Sequence, residues 1–322
     1  MADTTLTDKI RAFLDSAGWD NATVEPLAGD ASSRTYFRLR KDKQSAILMN
    51  ASQVLASVAP FVRIDEHLLR LNFSAPAILA RDDAKGLLLL EDFGDATFAR
   101  LLDDGTEPEK LFTLATDVLI ALHKHPRAIL HNLRVYHPEK MLEDIELFLD
   151  WHTPDISETG RTEFRTVWRE VLPVAHQAPA SLLLRDYHVA NLMLLPGRTG
   201  VQQAGLLDFQ DAYQGPVTYD LVSLLEDARH DVPEDLQKKM VARYLAQFPA
   251  LDRNAFETSL AILAALRHTR VLAIFERLRR HEGKHDYQQL HSPRVARLLQ
   301  KALRHPTLGQ VKWWFDEYAR QN

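Results

Sequence analysis

The chain has no cysteine among its 322 residues. That excludes disulfides, thiolate metal sites and cysteine nucleophiles, and it suits a reducing compartment. A basic excess is also missing: the net charge is −5 and the pI near 6.3, so no global positive field argues for nucleic acid. MADTTLTDKIRAFL has no apolar signal core, and no uninterrupted apolar run reaches membrane-spanning length, so a cytoplasmic protein with no membrane partner is the expectation. Repeats and low-complexity linkers are absent as well. What remains is the balance of an ordinary globular enzyme, 46% hydrophobic and 26% charged, long enough for one large domain or two lobes.

Patterning divides the chain into a mixed part and a helical part. Residues 7–17 read as a short helix, 36–39 and 45–50 as strands, 61–71 as a helix and 86–95 as a buried strand that breaks at Gly94. Beyond residue 95 amphipathic helices dominate. KLFTLATDVLIALHKH (110–125) keeps Leu111, Leu114, Ala115, Val118, Leu119 and Leu122 on one face. The expected organisation is α+β and bilobal: a small mixed β-sheet lobe over 1–92, which binds nucleotide, and a larger helical lobe over 93–322, which holds the catalytic and acceptor-binding groups. The boundary falls near Asp92–Gly94.

One stretch breaks the hydrophobic logic. LLLRDYHVANLML (182–194) sets Arg185, Asp186, His188 and Asn191 between apolar flanks, and GLLDF (205–209) follows across a PGRTG turn. If the two apolar pieces pair as a hairpin, Asn191 and Asp208 meet at its open end. Two oxygen donors on neighbouring strands suit magnesium, which takes one or two protein carboxylates together with phosphate oxygens. Asp186, just upstream, is placed to accept a proton from an attacking hydroxyl. A base, a metal clamp and little covalent work are what phosphoryl transfer requires.

Arg185-Asp186 with Asn191 five residues after the aspartate has the register of a kinase catalytic loop, and Asp208-Phe209-Gln210 stands where DFG would stand. Together with GDASSRTYFRL, ILMNA, LLLLEDFGD and GPVTYDLVSLLED, these segments resemble the aminoglycoside phosphotransferase superfamily over almost the whole chain. Within it they are most similar to the anomeric sugar kinases, which phosphorylate the C1 hydroxyl of N-acetylmuramate and N-acetylglucosamine in cell-wall recycling. The resemblance implies a protein-kinase-like fold using ATP and Mg2+, with Asp186 as catalytic base and Asn191 and Asp208 holding the metal. It implies an interlobe hinge at Glu91–Phe93 offering backbone groups to adenine. A loop bearing Gly29, Ser32, Ser33 and Arg34 would cover the phosphates. Asp220 would brace the catalytic loop from a helix start, and His188 and Asp211 would lie on the acceptor side.

The chain departs from the pattern in two places. Met49 occupies the strand position of the phosphate-pairing lysine, leaving Arg34 or Arg38 as substitute cations and Glu66 as a surface residue. Gln210 replaces glycine, which argues against an aspartate flip. For the acceptor, residues 267–304 carry ten Lys/Arg against three Asp/Glu. A basic lining repels a polycation and welcomes an anion, so Arg267 and Arg270 are expected to pair with a sugar carboxylate. An aminoglycoside or another small-molecule hydroxyl is the alternative acceptor, and a catalytically weak binding module is an alternative motivated by Met49 and Gln210.

A zinc protease is a further class to weigh. His281-Glu282-x-x-His285, with His291 beyond, has metalloprotease spacing. Against it, Gly283 weakens the helix, Gln288 stands where the turn glycine belongs, and the segment reads as a loop between helices. His123 and His125 read as partners of a helix C-terminus, and the Trp313–Trp314 pair as packing.

Overall fold

The computed structural model describes residues 7–27 and 34–319. In chain order its main elements are α1 (Asp8–Ser16), β1 (Thr23–Leu27), β2 (Thr35–Lys41), β3 (Gln44–Asn50), α2 (Val58–Arg70), β4 (Ile78–Asp82), β5 (Leu87–Glu91), α3 (Phe98–Asp103), α4 (Pro108–Lys124), α5 (Pro138–Trp151) and α6 (Glu158–Val171). They continue with β6 (Ala180–Leu183), β7 (Leu192–Leu194), β8 (Ala204–Leu206), β9 (Tyr213–Pro216), α7 (Thr218–Leu225), α8 (Glu234–Ala246), α9 (Arg253–Glu282), α10 (His285–Ala302) and α11 (Gly309–Trp314). The described residues fall into two compact units. One comprises the chain up to Leu101 together with Asn191–Asp211; the other comprises Leu102–Ala190 and the chain from Ala212 onward.

The first unit is built on an antiparallel five-stranded sheet in the order β1-β2-β3-β5-β4. Its centre is apolar because β3 and β5 are buried: Leu48, Met49, Leu88 and Leu89 are all fully or almost fully enclosed. α1 covers one side through Ile10, Phe13 and Leu14. The same unit includes the β7–β8 hairpin, registered Leu192↔Leu206 and Leu194↔Ala204. The Leu207 N–H donates to the Asn191 carbonyl at 3.0 Å and closes the hairpin's open end, where Asn191 and Asp208 stand.

Helices make up most of the second unit, packed around α9. That helix is 30 residues long and by length and composition alone could cross a membrane, but 78% of its apolar window is buried inside the protein. Its sequence reads as a helix without an unbroken apolar run, because Arg267, His268 and Arg270 interrupt the pattern. Asp252 caps its start by accepting from the N–H groups of Asn254 and Ala255. Trp314, Trp168, Phe164 and Phe148 form an enclosed aromatic cluster against α5 and α6, and the Trp314 indole donates to the Gly160 carbonyl at 2.8 Å. Trp313, by contrast, is 45% exposed.

His123 corrects an expectation. It is buried against the Tyr244 hydroxyl at 2.8 Å, and burial pushes its pKa down to about 3, so it carries no charge to offer a helix dipole. The protease geometry also fails to form. α9 stops at Glu282, Gly283 adopts a left-handed φ of 67°, and α10 begins at His285, so the two histidines sit on different helices. His281 instead stacks edge-on against Trp151, and Glu282 pairs with Lys284 at 3.0 Å.

Candidate active site

In the first unit a cavity of about 320 Å³ is bordered by the end of β5, the start of β7 and the segment after β8. Glu91, Phe93, Asn191 and Asp208 all line it, together with Ile47, Leu90 and Phe61. Its walls combine apolar side chains with a set of polar ones, Arg38, Asp92 and Gln210 among them. The segment after β5 is fixed by Arg38, whose guanidinium reaches Asp92 at 2.9 Å, Asp95 at 2.8 Å and the Gly94 carbonyl at 2.9 Å. Glu91 spends its side chain on Arg198 (2.5 Å) and its N–H on the Ala77 carbonyl (2.8 Å). Among the described residues the Phe93 N–H has no hydrogen-bond partner. The Phe93 ring packs on Gly205, where a Cβ would lie 2.8 Å from the ring. Any larger residue at 205 would displace the Phe93 ring.

Asp208 holds a left-handed backbone, φ 58°, unusual for a residue with a side chain. Its carboxylate accepts from the Gln210 amide at 2.7 Å and lies 3.7 Å from Arg34. The glutamine that replaces glycine thus anchors the aspartate. Phe209 stacks on Phe61 of α2 at 5.3 Å between centroids. Of the two cations that could replace the missing lysine, Arg34 faces Asp208 whereas Arg38 is committed to Asp92, Gly94 and Asp95. Met49 is fully buried opposite Leu88 and Tyr36. Glu66 is exposed and pairs with Arg81 and Arg70. Gly29, Ser32 and Ser33 lie outside the described residues. Asp211 is exposed and does not line the cavity.

Sequence reading missed Asp65, which neighbours Glu66 on α2. It is fully buried, and among the described residues neither carboxylate oxygen has a hydrogen-bond partner. Burial, with Glu66 and Glu91 adding repulsion, pushes its pKa up to about 7. The folded protein therefore holds this proton more tightly than the unfolded chain does. That stabilisation is fully present below the ordinary carboxylate pKa of 3.8 and is lost as pH rises through about 7. Asp65→Asn keeps the shape without the charge. It is expected to raise stability by on the order of 2–4 kcal/mol above about pH 8 and to change little near about pH 5. Urea titrations of both proteins at the two pH values check this, and an equal effect at both would refute it.

In the second unit Asp186 follows β6. Burial alone would raise its pKa, but the arginines Arg270, Arg267 and Arg185 outweigh that and hold the carboxyl below its ordinary value. Asp220, in the first turn of α7, accepts the Leu184 N–H at 2.6 Å and the Arg185 N–H at 2.9 Å. Burial pushes Asp220 up to about 7 against the pull of those two bonds. Arg185 has a left-handed φ of 67°, so the residue before Asp186 is held in a costly conformation that Asp220 secures. The Arg185 side chain bonds Asp144 at 2.6 Å and lies over the rings of Tyr136 and Tyr213, at 4.8 and 5.1 Å. Asp144, also bonded by the Tyr136 hydroxyl at 2.8 Å, was not legible as a site residue from its place in an ordinary amphipathic helix. His188 is buried and its pKa falls to about 4, chiefly through burial, so it is neutral at physiological pH. The basic surplus of 267–304 is partly spent locally: Arg279 and Arg280 bind Glu276, Arg294 binds Asp231 and Lys301 binds Glu226. Arg267 and Arg270 are the two that bear on Asp186.

A five-stranded antiparallel sheet with a cavity at the end of β5, a hairpin ending in an aspartate, and a braced aspartate loop in a helical unit define a kinase-like phosphotransferase. The chain belongs to the phosphotransferase enzyme family, whose model matches residues 23–257. It is 34% identical to N-acetylmuramate/N-acetylglucosamine kinase of Caulobacter vibrioides over 96% of this chain and 95% of that protein. To the protein of the same name from Pseudomonas aeruginosa it is 32% identical, over 97% and 96% of the two chains. Among solved structures it is similar to the streptomycin–ATP–APH(2")-IIa ternary complex, with a TM-score of 0.64, 16% identity and coverage of 95% and 99%. Choline kinase LicA from Streptococcus pneumoniae gives 0.65 at 13% identity, with coverage of 92% and 100%. At these identities the likeness is one of fold.

Proposed function

We propose that the protein is an ATP- and Mg2+-dependent kinase that phosphorylates the anomeric hydroxyl of N-acetylmuramate or N-acetylglucosamine, serving peptidoglycan recycling. Kinship with curated kinases of that name along nearly the whole chain carries the reading. The apolar cavity of the first unit suits an adenine ring, with the Phe93 N–H as a donor to it. Asp208 and Asn191 supply a carboxylate and an amide oxygen, a donor set that fits Mg2+. When bound, the ion neutralises phosphate charge. Arg34 beside Asp208 takes the place of the missing strand lysine.

Asp186 is kept ionised by its arginines and serves as base. The C1 oxygen forms a bond to the γ-phosphorus as the bond to the departing ADP oxygen breaks, and the C1 hydroxyl proton passes to Asp186. Arg267 and Arg270 favour an acceptor carrying a carboxylate, as N-acetylmuramate does, over a polycation. The product is a sugar 1-phosphate, so methyl glycosides, blocked at C1, are expected to be inert. Phosphorus NMR of the product should show coupling to the anomeric proton. Efficient turnover of a methyl glycoside, or of kanamycin in preference to N-acetylmuramate, would overturn the assignment.

A further inference from the structure

The second unit contains a cavity of about 690 Å³ in which neither Asp186 nor its arginine neighbours take part. It opens among α7, α8, α9 and the turn after α10, and its volume is that of a small-molecule site. The walls are aliphatic, with Leu225 from α7, Val241 and Leu245 from α8, and Leu260 and Ala264 from α9. Charged side chains stand around them, and most are satisfied. Lys238 pairs with Glu234 at 2.9 Å and Lys301 with Glu226 at 3.1 Å. Arg253 and Arg304 also line the cavity, and among the described residues neither guanidinium makes a hydrogen bond or an ion pair. Among the described residues Glu257 is the one lining acid without a cationic partner, set against two guanidiniums.

An aliphatic wall offers an apolar body a place to leave water. Two uncommitted guanidiniums offer its anionic end a fork-shaped set of donors matched to carboxylate or phosphate. We propose that this cavity binds an amphiphilic anion, an aliphatic body ending in a single carboxylate or phosphate head. The occupant would lie against helices that also serve the catalytic segment. α7 carries Asp220 in its first turn and the wall residue Leu225 in its last. Glu226, the next residue, accepts from His268 of α9 at 2.7 Å, adjacent to Arg267. The site is therefore positioned to report ligand occupancy to the backbone that presents Asp186.

The full-length protein can be titrated calorimetrically with decanoate, decyl phosphate and the neutral 1-decanol, each below its micellar concentration. Hydrogen exchange then locates the contact. Saturable binding of an anion is expected, about tenfold or more tighter than decanol, with protection at the end of α7 and along α8. The two anions distinguish a carboxylate head from a phosphate head. Arg253→Gln/Arg304→Gln should weaken anion binding by about tenfold or more without affecting folding, because both side chains are exposed. Ala261→Trp, which fills the wall, should abolish it. Binding of neither anion, undiminished binding in the glutamine variant, or protection confined to other helices would each overturn the proposal. None of these readouts depends on the sugar being the acceptor.

Discussion

Asp186→Asn is expected to lower kcat by about 10²–10⁴-fold, the usual contribution of a general base, while nucleotide affinity stays near that of the parent. The substitution changes charge and proton affinity but hardly shape. Arg270, Arg267 and Arg185 keep the aspartate ionised against the pull of burial, so the parent enzyme has a proton acceptor ready throughout the neutral range. Asparagine accepts a hydrogen bond but takes up no proton under these conditions. Because the carboxyl lies below its ordinary pKa, its stabilising share is present at neutral pH and is lost only as pH falls through that lowered value. Single-turnover kinetics together with equilibrium nucleotide binding separate the two effects. A variant that turns over at the parental rate would remove Asp186 from the mechanism.

The parts of the fold that were legible in the sequence are those where one physical demand dominates. β3 and β5 are central strands buried on both faces, and SAILMN and LLLLE read as continuous apolar runs for that reason. α4 turns one apolar face inward, and its period is plain. The strands that escaped notice are edge or compromised ones. β1 contains Pro26 and β4 contains Arg81 and Asp82; both lie at sheet edges, where proline and charge are tolerated and alternation is weak. β9, YQGP, has a glycine and a proline in four residues and is a strand because β6 pairs with it.

The site divides similarly. Asp186, Asn191 and Asp208 stood out because polar residues at fixed spacing interrupted apolar runs. Asp65 and Asp144 did not, since each sits in a helix whose other acids face solvent, and no pattern in one sequence says which acid turns inward. Gln210 reads as the loss of a glycine's freedom; only the folded chain brings its amide to Asp208. The same limit applies to Arg34 and Arg38, which are equivalent by sequence, while the structure commits Arg38 to Asp92 and turns Arg34 toward Asp208.

Asp220 carries the second large expected effect, and through position rather than chemistry. Its two oxygens satisfy two buried N–H groups, those of Leu184 and Arg185, and the second belongs to a residue in a left-handed conformation. Such a conformation costs about 1–3 kcal/mol and persists only where its surroundings over-determine it. Asp220→Ala orphans both donors at about 1–3 kcal/mol each, so a stability loss of about 2–5 kcal/mol is expected. The segment carrying Asp186 would then relax, and kcat should fall while nucleotide affinity changes little. Asp220→Asn retains one acceptor oxygen but turns a donor toward the other N–H, so an intermediate loss is expected. Ser223→Ala, on the same helix, removes only a contact of 3.5 Å to the Arg185 carbonyl and should cost under about 1 kcal/mol. Urea unfolding of the three variants, paired with kcat and nucleotide titration, checks that order. Parental stability and kcat in Asp220→Ala would mean that Arg185 and Asp186 are held by something other than this carboxylate.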